Sequence, residues 1–355
     1  MNRIDYGDDW KAGVLGLFDG PDTELRTHDA MAALLRELRK RKVFSMLAET
    51  RERSPAPLAL AAEVVEAGAR FDGSLGWLLV TGICTTFSLR VAEAFPEAFS
   101  SGEYAASVFR AGTATAHRDA EGYRISGKWR FCTGASFADW IAVGVNLYEG
   151  DKPVLSSSGK PKTAMAILPQ KEVRILDTAE TIGLGLSETR DIALENARVP
   201  PSWVGTNPFS LYRPFFVLWT GFAALGIARA ALDGWKASLA RNAGRRERAA
   251  TEFARAEAAW RAARAYAYGA IPWVEEATAR ARFDEREVRD AALPTANAAV
   301  TAKNIVHAAF YGAGSSSVFV ANRMARISND ALTMLHHISL GEDVLEHAGK
   351  GLLES

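Results

Sequence analysis

The stretch Ser74–Leu89, SLGWLLVTGICTTFSL, is apolar around nearly its whole circumference. Read as a helix, it has no polar face to offer water and must be wrapped on every side. No run of about 18 uninterrupted apolar residues is present, so the wrapping is expected to be protein rather than lipid. A fully wrapped helix needs a large protein around it. With 355 residues, 48% of them hydrophobic, the chain is long enough for that and for two or three subdomains.

Three stretches of different character follow one another. Up to residue 103 the pattern is helical. AMAALLRELRKRKVFSMLAE places Met31, Leu34, Leu35 and Leu38 on one helix face, and a break at Asp72-Gly73 precedes the apolar helix. From Tyr104 to residue 206 the pattern is that of strands. GTATAHRDAEGYRISGKW reads as two runs around a DAEG turn, WIAVGVNLY as a buried strand, and a loop is expected over 157–162. From residue 207 long helices return, one unusually rich in alanine, and four of them with short connections read as a bundle. The expected fold is α+β and mostly α: a helical domain over 1–103, an antiparallel β domain over 104–206 and a four-helix bundle over 207–355.

Charge and cysteine content exclude several roles. Lys plus Arg and Asp plus Glu both number 42, so no electrostatic attraction to nucleic acid or to an anionic membrane surface is expected. Two cysteines, Cys84 and Cys132, make no disulfide framework and suit a reducing cytoplasm. The N-terminus lacks the apolar core of a signal peptide. No P-loop, strand-linked GxGxxG, HExxH or CxxC is present. Adjacent His336 and His337 point about 100° apart on a helix, so a metal pair there is not expected.

One strand is interrupted in an unusual way. In GYRISGKWRFCTGASFADW an aromatic run reaches Cys132, drops into Thr133-Gly134-Ala135-Ser136, and then resumes. Such a break can be a polar hairpin corner. It can also be a place where a flat ligand lies against bare backbone and hydroxyls.

The order helices, small β domain, helical bundle resembles the acyl-CoA dehydrogenase superfamily. Within it the chain is most similar to the branch of two-component flavin-dependent monooxygenases. DGSLGWLL (72–79), the GYRISGKWRFCTGASFADW stretch, GLGLSETRDIALENARVP (183–200) and SNDALTMLHHISLGEDVLEHAGKGLL carry the resemblance. It implies that the Thr133–Ser136 break meets a flavin edge. Thr133 matches the hydroxyl residue, Gly134 and Ala135 the close backbone, and Phe131 the aromatic residue on the ring. Gly112-Thr113 match the family's first flavin stretch in the β domain. Gly312 and Gly314 match a glycine pair facing the dinucleotide of a neighbouring subunit, and Arg241 an arginine on the pyrophosphate. Their alternatives are a helix-end glycine and a solvated arginine.

The same resemblance frames the reaction. A dehydrogenase needs a carboxylate base. A gapless match puts Ile338 at the usual position, Leu340 precedes Gly341, Glu342 is two residues displaced, and Glu257 corresponds only vaguely to an alternative base. The monooxygenase branch instead carries a histidine after an Arg-Asp or Arg-Asn pair. Here the pair reads Ser328-Asn329 and the histidine is His336. On a continued helix Asn329, Thr333 and His336 fall at i, i+4 and i+7, a polar stripe without Lys, Arg or Glu. The implied activity is oxidation of an aromatic or heteroatom substrate with dioxygen and reduced FAD or FMN from a separate reductase. The implied catalytic group is His336, and the implied assembly a homotetramer in the cytoplasm. The alternatives are a dehydrogenase with a displaced base and a member that has lost the flavin.

Overall fold

A computed structural model describes residues 6–19, 25–48, 55–92, 102–156, 159–177, 180–241 and 243–354. Four helices come first: α1 (Asp8–Leu15), α2 (His28–Lys40), α3 (Leu58–Phe71) and α4 (Gly73–Val91). Strands then run in order: β1 (Ala105–Val108), β2 (Thr115–Arg118), β3 (Tyr123–Cys132), β4 (Trp140–Glu149), β5 (Lys152–Pro153), β6 (Thr163–Pro169), β7 (Arg174–Ile175), β8 (Arg190–Val199) and β9 (Val204–Thr206). The rest is helical: α5 (Phe209–Trp219), α6 (Gly221–Ala240), α7 (Ala243–Gly269), α8 (Ile271–Arg280), α9 (Glu285–Gly312), α10 (Arg323–Leu335) and α11 (Glu342–Leu353).

The apolar helix α4 is buried along almost its whole length. It starts at the Asp72-Gly73 break because Asp72 is its N-cap, accepting the N–H groups of Ser74 at 2.9 Å and Leu75 at 3.1 Å. It packs on α3, on β1 and, through Trp219 Nε1–H to Val80 O at 2.9 Å, on the bundle. Two segments, Gly73–Val91 and Leu211–Ala240, are long and apolar enough to cross a membrane, which corrects the expectation that no such run exists. Their most apolar windows are 78% and 89% buried inside the protein, so each already has the wrapping its surface requires.

The sheet order is β7-β8-β3-β2-β4-β6-β9, with β1 and β5 also on β4. The DAEG hairpin is present: β2 and β3 pair antiparallel from Thr115↔Ser126 to Arg118↔Tyr123. The sheet is not wholly antiparallel, because β1 and β2 both run parallel to β4. The two short strands lie end to end along one long partner, and the chain bulges between them at 109–114. Pattern reading sees each strand's alternation but not which neighbour it meets. In the bundle, two of the four expected long helices are each broken in two. Pro272 stands in the first turn of α8 after the break at Ala270, and six residues separate α10 from α11. The loop expected over 157–162 begins at residues 157–158, which lie outside the described residues.

Candidate functional site

β3 ends in a backbone departure. Phe131 has φ +63°, the pairing with β8 shifts register between Trp129 and Cys132, and the turn Thr133–Phe137 follows. The positive φ turns Phe131 out of the sheet, leaving its ring 61% exposed with the Arg130 guanidinium 4.8 Å from its centroid. The next three residues turn inward and are buried.

The turn is clamped from behind. Gly134 has φ +75°, and a Cβ there would lie 2.1 Å from the Tyr104 hydroxyl oxygen. Tyr104 is fully buried, packs edge-on against Phe44 and donates its N–H to Asp139. Asp139 in turn pairs with Arg39 of α2 at 3.3 Å. Only glycine can therefore occupy position 134 without moving packed groups.

In front, the turn meets the loop that leads into β8. Gly134 donates its N–H to Ser187 O at 2.8 Å. The hydroxyls of Ser187, Thr189 and Thr133 form a chain, 2.9 Å between the first two and 3.1 Å between the last two. Ser136 donates its hydroxyl to Glu188, which also holds Arg190. Among the described residues, the N–H groups of Ala135 and Ser136 have no protein acceptor.

The loop also reaches α10. Leu184 donates its N–H to Asp330 at 2.6 Å, and Gly183 lies so close to Asn329 that a Cβ would sit 2.1 Å from its carbonyl oxygen. α10 stops at Leu335, earlier than a continuous stripe to His336 requires. His336 is the C-cap, in a helical conformation (φ −79°, ψ −4°) but exposed; Asn329 is exposed, and Thr333 donates its hydroxyl to Asn329 O at 3.0 Å. The following residue makes the contact with α4: the His337 ring meets Trp77 edge-on at 5.0 Å. His337 Nδ1 accepts the Ser339 N–H at 3.3 Å, which leaves Nε2 to carry the ring proton. The residue is exposed, yet the protein packed around its ring desolvates the charged form, which lowers its pKa to about 4 and keeps it neutral at neutral pH.

The structure thus brings Phe131, Thr133, Gly134, Ala135 and Ser136 together, and the loop 183–189 links their turn to Asn329 and Asp330 of α10, while Thr333 and His336 lie further along that helix with no hydrogen bond to the turn among the described residues. Gly112 and Thr113 are exposed in a turn beside the middle of β3, where Ala114 packs against Gly127. Arg241, Gly312 and Gly314 form a separate group at one end of the bundle. Arg241 is the exposed C-cap of α6, Gly312 packs against Trp235, and Gly314, at φ +93°, packs against the Arg245 guanidinium. Exposed Tyr311, Val318, Phe319 and Val320 adjoin them.

Three participants carry no signal of their own in the sequence, Thr189, Tyr104 and Asp330, and His337 is legible there only as the less favoured neighbour of His336. Thr189, the residue just before β8, is an ordinary strand entry by composition, and only the pairing of β8 with β3 brings its hydroxyl to Thr133. The vague dehydrogenase base is placed elsewhere. Glu257 sits on α7 between Arg229 at 2.7 Å and Arg261 at 2.8 Å, which offset its desolvation and hold its pKa below the usual range.

The geometry fits a flavin edge. An exposed aromatic face, two amide donors without acceptors among the described residues and the Thr133 hydroxyl, whose proton is free when Thr189 donates to it, present a flat, donor-rich surface to a flat, acceptor-rich ring.

Residues 218–342 match the family model "Acyl-CoA dehydrogenase, C-terminal domain". An indole-3-acetate monooxygenase of Pseudomonas putida is 29% identical over 313 residues, covering 81% of this chain and 77% of that protein. Among solved structures, the complex of TdsC from Paenibacillus sp. A11-2 with FMN and indole superposes with a TM-score of 0.81 at 18% identity, covering 98% and 96% of the two chains. Butyryl-CoA dehydrogenase from Megasphaera elsdenii gives 0.76 at 18% identity, covering 99% and 100%.

Proposed function

We propose that this chain, a member of the acyl-CoA dehydrogenase superfamily by its fold and its C-terminal domain, is the oxygenase component of a two-component flavin monooxygenase acting on an aromatic substrate. The observation that carries this reading is the Thr133–Ser136 turn, with its unaccepted amide donors, beside the exposed ring of Phe131. The names of the relative and of the TdsC complex support it and make an indole-type aromatic the first substrate to try. Against the dehydrogenase alternative stand Ile338 at the usual base position and the double engagement of Glu257.

Bound reduced FAD or FMN, supplied by a separate reductase, would provide two electrons to dioxygen, so that one oxygen atom enters the substrate and the other leaves as water. The residues of this chain do the rest. Phe131 covers a ring face, while Thr133 and the amides of Ala135 and Ser136 donate to its edge. Trp77 and His337 form an aromatic wall for a planar substrate, and the neutral His337 Nε2–H donates to its polar atom. His336, at the helix end beside it, is the group that exchanges a proton with solvent.

The test is anaerobic binding of reduced flavin followed by addition of labelled dioxygen and an indole-type acid. One labelled atom in the product supports the reading; absence of flavin binding overturns it. Thr133→Val keeps the shape and removes one hydrogen bond, so flavin affinity should fall roughly 2- to 10-fold in a fluorescence titration. Unchanged affinity would remove Thr133 from the site.

The exposed apolar group at Tyr311, Val318, Phe319 and Val320 supports a homotetramer, with Gly312, Gly314 and Arg241 turned towards a second copy. Light scattering at micromolar concentration should give about four times the monomer mass, and a monomer would contradict it.

A further inference from the structure

Asp330 stands where α10 meets α3, α4, α6 and the loop into β8. Its Oδ1 accepts the Leu184 N–H at 2.6 Å. Its Cβ and Oδ2 lie so near Gly73 that an added Cβ there would be 2.7 and 2.8 Å away. Gly183, one residue earlier in the loop, rests on the backbone of Asn329. Two adjacent residues of α10 therefore dock two adjacent residues of the loop.

The loop needs such docking. Leu184 and Glu188 have φ +56° and +47°, a left-handed conformation that is costly for residues with a side chain. Strained backbone persists only where its surroundings hold it. One end is held at the β3 turn, by Gly134 N–H to Ser187 O and by Glu188 with Ser136 and Arg190. The other end is held by Asp330. Between the two anchors runs the hydroxyl chain that ends on Thr133.

We propose that Asp330 is a positioning residue of the site: by holding Leu184 it sets the loop Gly183–Thr189 so that the Thr189 hydroxyl orients Thr133 towards the flavin. The role at the flavin rests on the function proposed above; the holding of the loop does not.

The charges around Asp330 give this anchor a pH dependence. Asp72 faces it from the start of α4, and Arg326 lies one turn earlier on α10 with its Nε unpartnered. Arg70 and Arg323 line the same small cavity, Arg70 engaged with Asp233 and Arg323 with Arg70 O; α6 contributes only Ile227 and Ala230 there. Burial first, and then the charge of Asp72, push the Asp330 carboxyl up to about 7. Opening the loop would expose the carboxyl and let its pKa fall towards the ordinary 3.8. The closed loop therefore binds the proton more tightly than the open one. Its stabilisation is present at low pH and is lost as pH rises through about 7.

Hydrogen exchange of the flavin-free protein tests the anchor without any activity. In the parent, protection factors of the amides over 184–189 should fall as pH rises from about 6 to about 8. Asp330→Asn keeps the shape and removes the charge, so protection should persist and lose its pH dependence. Asp330→Ala removes the acceptor, so protection should fall roughly 10-fold or more at every pH, with a comparable loss of reduced-flavin affinity. Unchanged protection in Asp330→Ala overturns the proposal. So does lost protection with parental flavin affinity, and both results leave the flavin reading standing. A parent that binds no reduced flavin overturns the flavin reading and the positioning role with it, a failure recognisable because the exchange data are unaffected by it.

Discussion

His337→Ala is expected to lower turnover of an indole-type substrate by roughly 10²- to 10³-fold, the usual loss when one preorganised donor is removed from developing charge. Three observations converge on this residue. Its ring is fixed edge-on against Trp77, its Nδ1 is occupied by the Ser339 N–H, and desolvation keeps it neutral down to about pH 4. The ring is therefore a fixed donor at Nε2, with no rotational search to make and no charge to lose on binding. Flavin affinity should hardly change, because among the described residues no contact links His337 to the Thr133–Ser136 turn. The effect should be equally large from pH 6 to pH 9, since a group neutral throughout that range does not titrate in it. His336→Ala should be milder: both histidines are exposed, but among the described residues only His337 has its ring fixed by an aromatic contact and a hydrogen bond. Steady-state kinetics of the two variants decide the order. If His336→Ala proves the more severe, the polar stripe Asn329, Thr333, His336 is the catalytic face after all, and His337 only packs on Trp77.

Gly134→Ala is expected to destabilise the protein by about 2–5 kcal/mol and to abolish flavin binding. A left-handed φ costs a residue with a Cβ about 1–2 kcal/mol. Overpacking a filled interior adds about 1–3 kcal/mol. The added methyl would meet the Tyr104 hydroxyl at 2.1 Å. That tyrosine is confined by Phe44 and by its own N–H bond to Asp139. The turn would have to shift, and the amides of Ala135 and Ser136 with it. Chemical denaturation measures the first effect and flavin titration the second. Because the obstructing atom is a hydroxyl oxygen, Tyr104→Phe should recover part of the stability in the double variant, with a coupling of about 0.5–3 kcal/mol. A Gly134→Ala protein as stable as the parent would mean that the turn is loose and that the site does not depend on its shape.

Local chemistry was enough to find the parts of this protein. An apolar circumference marks α4 as wrapped, alternating runs around DAEG mark the β2–β3 hairpin, and Asp72-Gly73 marks a helix start. Each of these depends on interactions within a few residues, which is the range that periodicity and capping report. The Thr-Gly-Ala-Ser break was legible for the same reason: small residues inside an aromatic strand are a local anomaly. What the sequence could not contain is adjacency. The parallel placement of β1 and β2 on β4, the meeting of Thr189 with Thr133 across 56 residues and the docking of Leu184 on Asp330 across 146 depend on which surfaces the folded chain brings together. The histidine pair shows the difference most directly. Helical spacing favoured His336, because a stripe assumes that the helix continues. Tertiary packing ended α10 at Leu335, and it was the contact with Trp77, 260 residues earlier in the chain, that brought His337 to α4.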